Sequence, residues 1–166
     1  MCTGKFDTEY WQDTESEVVF VPSSTLPDKV TISAAKIYVL HEGKLLLTKV
    51  KRGWDIPGGH LETGESPEET VVRELWEETR STARSIDMIG YLKVTNKVTN
   101  ELNKKYPRRS CIIIFRGRDV SLSDPKGLED FEAVDRHLFD YSELRDVHHQ
   151  WTSMKKQILE YAYKFR

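Results

Sequence analysis

Apolar and β-branched residues come in short runs separated by polar, glycine-containing or proline-containing breaks, and the breaks define the elements. Residues 18–21 predict a short strand, and 22–28 a loop. Residues 30–40 are β-branched and apolar, the pattern of a buried strand. His41-Glu42-Gly43-Lys44 predicts a turn, with 45–50 as the returning strand of a hairpin. Trp54-Asp55-Ile56 reads as a short extended piece, and Pro57-Gly58-Gly59 is expected to break any regular element. Residues 66–79 form the clearest helix: Ser66 suits the N-cap, Pro67 the first helical position, and Glu69 completes a capping box. Residues 86–95 and 110–116 predict strands, 131–139 a further strand, and 141–145 a helical turn. A last helix, 151–165, lines up Trp151, Met154, Ile158, Tyr161, Ala162 and Phe165 on one stripe. The order predicts an α/β fold, a mixed sheet covered on both faces.

The chain has 166 residues and a formal net charge of −2. Its length predicts one domain, residues 18–166, behind an acidic, weakly patterned lead-in at 1–17. The near-balance of charge excludes a generally basic nucleic-acid binder. No apolar run approaches the ~20 residues of a membrane helix. The first residues lack a basic-then-apolar order, which predicts no signal peptide. Cys2 and Cys111 lie far apart, as free thiols in a reducing cytoplasm do. The balance hides a pattern, however. Residues 59–78 hold seven Glu and one Arg, whereas 93–118 hold eight Lys or Arg and one Glu.

Within the acidic stretch, Glu74, Glu77 and Glu78 share one sector of the helix, since about 100° per residue puts the last two some 60° and 40° either side of the first. Carboxylates so placed repel one another. A hard divalent cation with oxygen ligands would offset that repulsion. Glu65 precedes the helix, and Arg73 is the local cation able to bridge a carboxylate.

These residues resemble a known family. Gly59, five residues, Glu65, seven residues, then Arg73-Glu74-Leu75-Trp76-Glu77-Glu78 match the Nudix box, and Trp54 to Gly59 looks like its usual lead-in. The match covers residues 59–81. Two positions depart from it: Arg80 replaces the box's late glycine, and Ser81 its last apolar residue. The resemblance implies an α/β/α sandwich that hydrolyses a phosphoanhydride in a nucleoside diphosphate derivative. Glu74, Glu77 and Glu78 would hold Mg²⁺ or Mn²⁺ with the Gly59 carbonyl, and Arg73 would brace Glu65. The general base would be Glu78 or, from the loop at 128–132, Glu132.

Lys49, Arg52, Trp54, Gly58 and Glu65 are the further candidates to meet substrate, through charge, stacking or backbone N–H. The basic residues from Lys104 to Arg109 could meet phosphate or an RNA 5′ end. His148-His149 lacks a matched ligand set and reads as structural. Motifs of the family's NADH, ADP-ribose, dinucleotide and coenzyme A branches are missing, which favours a nucleoside triphosphate or similar small nucleotide. The alternative is a non-catalytic nucleotide-sensing module on the same fold. Monomer and homodimer both stay open.

Overall fold

The computed structural model describes residues 6–164; Cys2 and Phe165 lie outside them. The elements run β1 (Glu9–Trp11), β2 (Ser16–Pro22), β3 (Thr31–His41), β4 (Lys44–Val50), β5 (Gly53–Asp55), β6 (Gly58–His60), α1 (Pro67–Thr79), β7 (Ser81–Asn96), β8 (Arg109–Leu122), β9 (Asp135–Phe139), α2 (Leu144–Val147) and α3 (Ser153–Lys164). A single 3₁₀ turn, Leu128–Asp130, interrupts the loop before β9.

Strands β1, β2, β7, β8 and β3 lie side by side, and β6 pairs with the other edge of β3. Among the described strands only the β3–β8 pairing is parallel, which makes the sheet mixed. At its C-terminal end β3 turns into β4, which leaves the main sheet and carries β5 and β9 as antiparallel neighbours.

The strand period of two sorts side chains onto two cores. Ala35, Ile37 and Val39 of β3 and Cys111, Ile113 and Phe115 of β8 meet Val71 and Leu75 of α1. Tyr38 and Ile114, of the opposite parity, join Met154, Ile158, Leu159 and Ala162 of α3. Val71 and Leu75 are fully buried, and each such side chain stabilises the docking of α1 by about 1.5–3 kcal/mol.

Several expectations change, among them the strand expected at 110–116, which runs Arg109–Leu122, and the helical turn expected at 141–145, which is Leu144–Val147. Residues 57–59 do not end regular structure, because Gly58 and Gly59 pair with Lys36 and Ala35 as part of β6. Gly58 sits at φ 146°, and a Cβ there would overlap the Ala35 carbonyl and Lys36. The glycine that reads as a breaker is what lets β6 reach β3. Strand β7 starts at Ser81 rather than 86, directly after α1. Arg80 makes that sharp exit by adopting φ 49°, ψ 38° as the C-cap. A non-glycine residue pays about 1–2 kcal/mol for this left-handed backbone. The region 131–139 is strand only over Asp135–Phe139. Within the lead-in, Glu9–Trp11 pairs antiparallel with β2.

Candidate active site

The start of α1 is fixed by local hydrogen bonds. The Glu69 N–H donates to Ser66 Oγ (3.2 Å), and the Ser66 N–H donates to Glu69 Oε2 (2.8 Å). Just before the cap, Glu65 accepts from Arg73 Nε (2.8 Å) and Nη2 (3.0 Å), from the Thr70 hydroxyl (2.8 Å) and from the Glu62 N–H (3.0 Å). The Arg73 bonds, and then the Glu62 N–H, hold the Glu65 carboxyl down at about 2. The same guanidinium donates through Nη1 to Glu74 (3.0 Å) and Glu77 (3.2 Å), and through Nη2 to the His60 carbonyl (3.2 Å). One arginine thus ties the loop before the helix, the end of β6 and two helix carboxylates together.

Glu78 lies one turn further on and is only 8% exposed. Its Oε2 accepts the Gly58 N–H at 2.9 Å. Burial pushes its carboxyl up to about 7, the Gly58 N–H opposes the rise, and the charge of Glu74 adds to it. Burial also raises Glu74, offset by Arg73 and reinforced by Glu77 and Glu132. Gly59 lies hard against the Glu74 carboxylate, where any Cβ would overlap it. Local sequence spacing puts these carboxylates on one face, and β6 closes over them with bare backbone. An all-oxygen donor set, in a cradle that a side chain at 59 would fill, suits a hard divalent cation.

The other sequence candidates fall in different places. Gly58 has its N–H committed to Glu78, so that donor is not turned to phosphate. Glu65 has both carboxylate oxygens engaged, chiefly by Arg73, the pairing that the resemblance implied. Arg52 donates to Asp55 Oδ2 through Nε (3.1 Å) and Nη2 (2.7 Å). Trp54 packs edge-on against Phe139, ring centroids 5.0 Å apart, within the α3-side core. The Lys49 ammonium lies 5.6 Å from the Trp54 ring centre. Glu132 is exposed on the loop before β9, and its charge reaches both Glu74 and His60.

Sequence reasoning missed a second polar centre. Asp55 is buried and gathers Lys36 Nζ (3.2 Å), Arg52, the Ile56 N–H (2.8 Å) and His148 Nε2 (3.2 Å). Burial alone would raise its carboxyl, yet Lys36, His148 and Arg52 together hold it far below the usual carboxylate range. The ligand atoms of Asp55, His148 and His149 all lie within 4.8 Å of one another. Proton placement argues against a metal there. His148 Nδ1 accepts the Gln150 N–H at 3.1 Å, and burial keeps the ring neutral. Its proton is therefore on Nε2, facing Asp55, and no lone pair is left for a cation. His148 is buried against Asp55, in keeping with its reading as structural; Asp55 is too distant in sequence to have been paired with it.

A third feature joins the basic loop to β6. Tyr106 and His60 meet through the hydroxyl and Nε2 at 2.5 Å, with their rings nearly parallel. Burial, and then the charge of Lys105, pushes the His60 imidazole down. Among the described residues no helix is long and apolar enough to cross a membrane.

Comparison with known proteins agrees with this architecture. A MutT-like protein of Streptomyces ambofaciens is 37% identical over 76 residues, spanning 45% of this chain and 49% of that protein. The match therefore spans about half the length of that relative. An ADP-ribose pyrophosphatase of Bacillus subtilis is 28% identical over 134 residues, 77% of this chain and 71% of that one. Among solved structures, the Bacillus subtilis pyrophosphohydrolase BsRppH superposes with a TM-score of 0.70 at 22% identity, over 95% of this chain and 94% of that one. A NUDIX hydrolase from Nitrosomonas europaea does so at 0.60 and 25% identity, over 82% and 90%. The NUDIX domain model matches residues 30–161. The chain belongs to the NUDIX family, and its mixed sheet between helices is that family's α/β/α sandwich.

Proposed function

We propose that the chain is a pyrophosphohydrolase that cleaves a phosphoanhydride bond of a nucleoside diphosphate derivative, with a nucleoside triphosphate or similar small nucleotide as its substrate. The observation that carries this reading is the carboxylate cluster: Glu78 and Glu74 packed against Gly58 and Gly59, with Glu77 beside them and Arg73 bracing the set. Burying acidic groups together is costly in an otherwise stable helix. The arrangement makes sense if a cation is a regular occupant.

Glu74, Glu77 and Glu78, with the Gly59 carbonyl, would hold Mg²⁺ or Mn²⁺. When bound, such an ion neutralises pyrophosphate oxygens and lowers the pKa of a coordinated water. The remaining roles belong to the chain's own groups. Arg73 fixes the orientation of Glu74 and Glu77. The Gly58 N–H holds one oxygen of Glu78 and leaves the other to the site. Glu132, on the loop before β9, would take a proton from water attacking phosphorus. Lys105, beside the His60–Tyr106 pair, would bring positive charge to the polyphosphate. The name of the ADP-ribose pyrophosphatase relative accords with phosphoanhydride cleavage.

The test is a panel of nucleoside triphosphates, dinucleotides, nucleotide sugars and 5′-triphosphorylated RNA, each with Mg²⁺ or Mn²⁺, with products identified by mass. The reading predicts metal-dependent cleavage of a P–O–P bond, strongest among small nucleotides. Binding of nucleotide with no metal-dependent product from any of them would replace it with a sensing module.

A further inference from the structure

The two departures from the box, Arg80 and Ser81, sit where α1 hands over to β7. The Arg80 carbonyl accepts the Ser123 N–H at 2.9 Å and Arg136 Nη1 at 3.2 Å. Its side chain crosses to the loop before β9. Nη2 donates to the Gly127 carbonyl at 2.6 Å, and Nε to the Lys126 carbonyl at 3.4 Å. The guanidinium carbon lies 4.8 Å from the Phe131 ring centre and 5.4 Å from that of Trp76. Arginine is thus sandwiched between a helix aromatic and a loop aromatic, both more than 40% exposed.

The loop is shaped to receive it. Gly127 stands at φ 78°, and a Cβ there would come within 3.1 Å of Arg80 Nη2. The loop is otherwise pinned at its flanks by buried Leu128 and Ala133 and by the Val134 N–H, which donates to the Lys49 carbonyl at 2.9 Å. Between those flanks stand Phe131, under the guanidinium, and Glu132, next in sequence, whose charge is felt at Glu74 and His60. A glycine at 80 would make the left-handed turn without strain. It would supply none of these contacts.

We propose that Arg80 is a positioning residue that fastens the 123–134 loop to the C-terminal end of α1 and so aims Glu132 at the carboxylate cluster. This rests on the reading that Glu132 acts in hydrolysis. The protein would have exchanged an unstrained helix exit for a fixed catalytic loop.

The experiment compares Arg80→Gly, Arg80→Lys, Glu132→Gln and the Arg80→Gly/Glu132→Gln double variant, measuring kcat, KM, Tm and hydrogen exchange over 124–132. Glu132→Gln should lose ~10²-fold in kcat, the scale of a general base. Arg80→Gly should lose roughly tenfold in kcat with little change in KM, the scale of a misplaced group. Its Tm should hold or rise, because glycine relieves the left-handed backbone, while exchange over 124–132 quickens. A purely structural role would instead lower Tm. Arg80→Lys, which keeps the charge but replaces the planar fork by a single ammonium, should recover part of kcat. The double variant should be no slower than Glu132→Gln alone. Full kcat in Arg80→Gly beside an impaired Glu132→Gln, or losses that multiply in the double variant, would overturn the proposal. Full kcat in Glu132→Gln would instead remove the reading of Glu132 on which it rests, a result distinguishable from either.

Discussion

The two ends of α1 solve the same problem in opposite ways. At the N-terminal end, Ser66, Glu69, Glu65 and Arg73 satisfy one another within a few residues. At the C-terminal end the local bonds, from the Thr79 hydroxyl to the Leu75 carbonyl and from the Ser81 hydroxyl to the Thr79 carbonyl, are joined by distant ones, and no basic residue stands in the last turn. Arg136 arrives from β9 to meet the Thr79 and Arg80 carbonyls and the Ser81 hydroxyl, and Arg80 reaches out to the next loop. The carboxylates follow the same divide. Glu65 at the front is held down at about 2 by Arg73, whereas Glu78 at the back is pushed up to about 7 by burial. One end of the helix is built for rigidity, and the other keeps an electrostatic cost in place for use.

The sharpest way to break this contrast is to remove the residue that spans it. Arg73→Ala should lower kcat by ~10²-fold through misplaced carboxylates. It should also cost about 2 kcal/mol at neutral pH, because Glu65, Glu74 and Glu77 are left without their shared partner. Denaturant titration should show the stability loss shrinking as pH falls and the carboxylates protonate.

Next in size is the titration of Glu78. Its folded pKa lies above its unfolded one, so the native state holds an extra proton between about 4.5 and about 7. Stability from this group is complete below that window and is lost as pH rises through it. In metal-free buffer, stability should therefore fall by up to about 3 kcal/mol from about pH 5 to about pH 8. Glu78→Gln should flatten that fall, and saturating Mg²⁺ should reverse it. A wild-type curve with the same slope as Glu78→Gln would show that Glu78 carries no such cost. The smallest effect is expected at the cap, where Ser66→Ala should cost about 1 kcal/mol and leave kcat within twofold, as measured by thermal melts and steady-state rates.

What could be seen in the sequence follows the same divide between local and distant contacts. The capping box, the shared face of Glu74, Glu77 and Glu78, and the stripe of Met154, Ile158 and Ala162 on α3 all depend on neighbours three or four residues away. Each emerged as read. Strand β6 did not, because Pro57-Gly58-Gly59 has the composition of a break; its strand character comes from β3 alongside it. Nor did the early start of β7: the box's late glycine marks position 80 as a left-handed helix exit, but an arginine there leaves open whether the chain turns or the helix runs on. The Asp55–His148 contact joins a strand of the box approach to the chain before α3, and no periodicity links the two. Within the site, the residue types and the Arg73–Glu65 brace were legible, but other commitments were not: Gly58 and Arg52 looked available and are engaged by other protein groups.

The central claim is that the carboxylates on α1 form a cation site for phosphoanhydride cleavage. Turnover of the best small-nucleotide substrate by Glu77→Gln tests it most directly, since Glu77 is the most exposed of the three and its loss should least disturb the fold. The account predicts a folded protein with wild-type Tm and a kcat lower by at least ~10²-fold, partly restored by raising Mn²⁺. Full turnover by this variant at ordinary Mg²⁺ would contradict it.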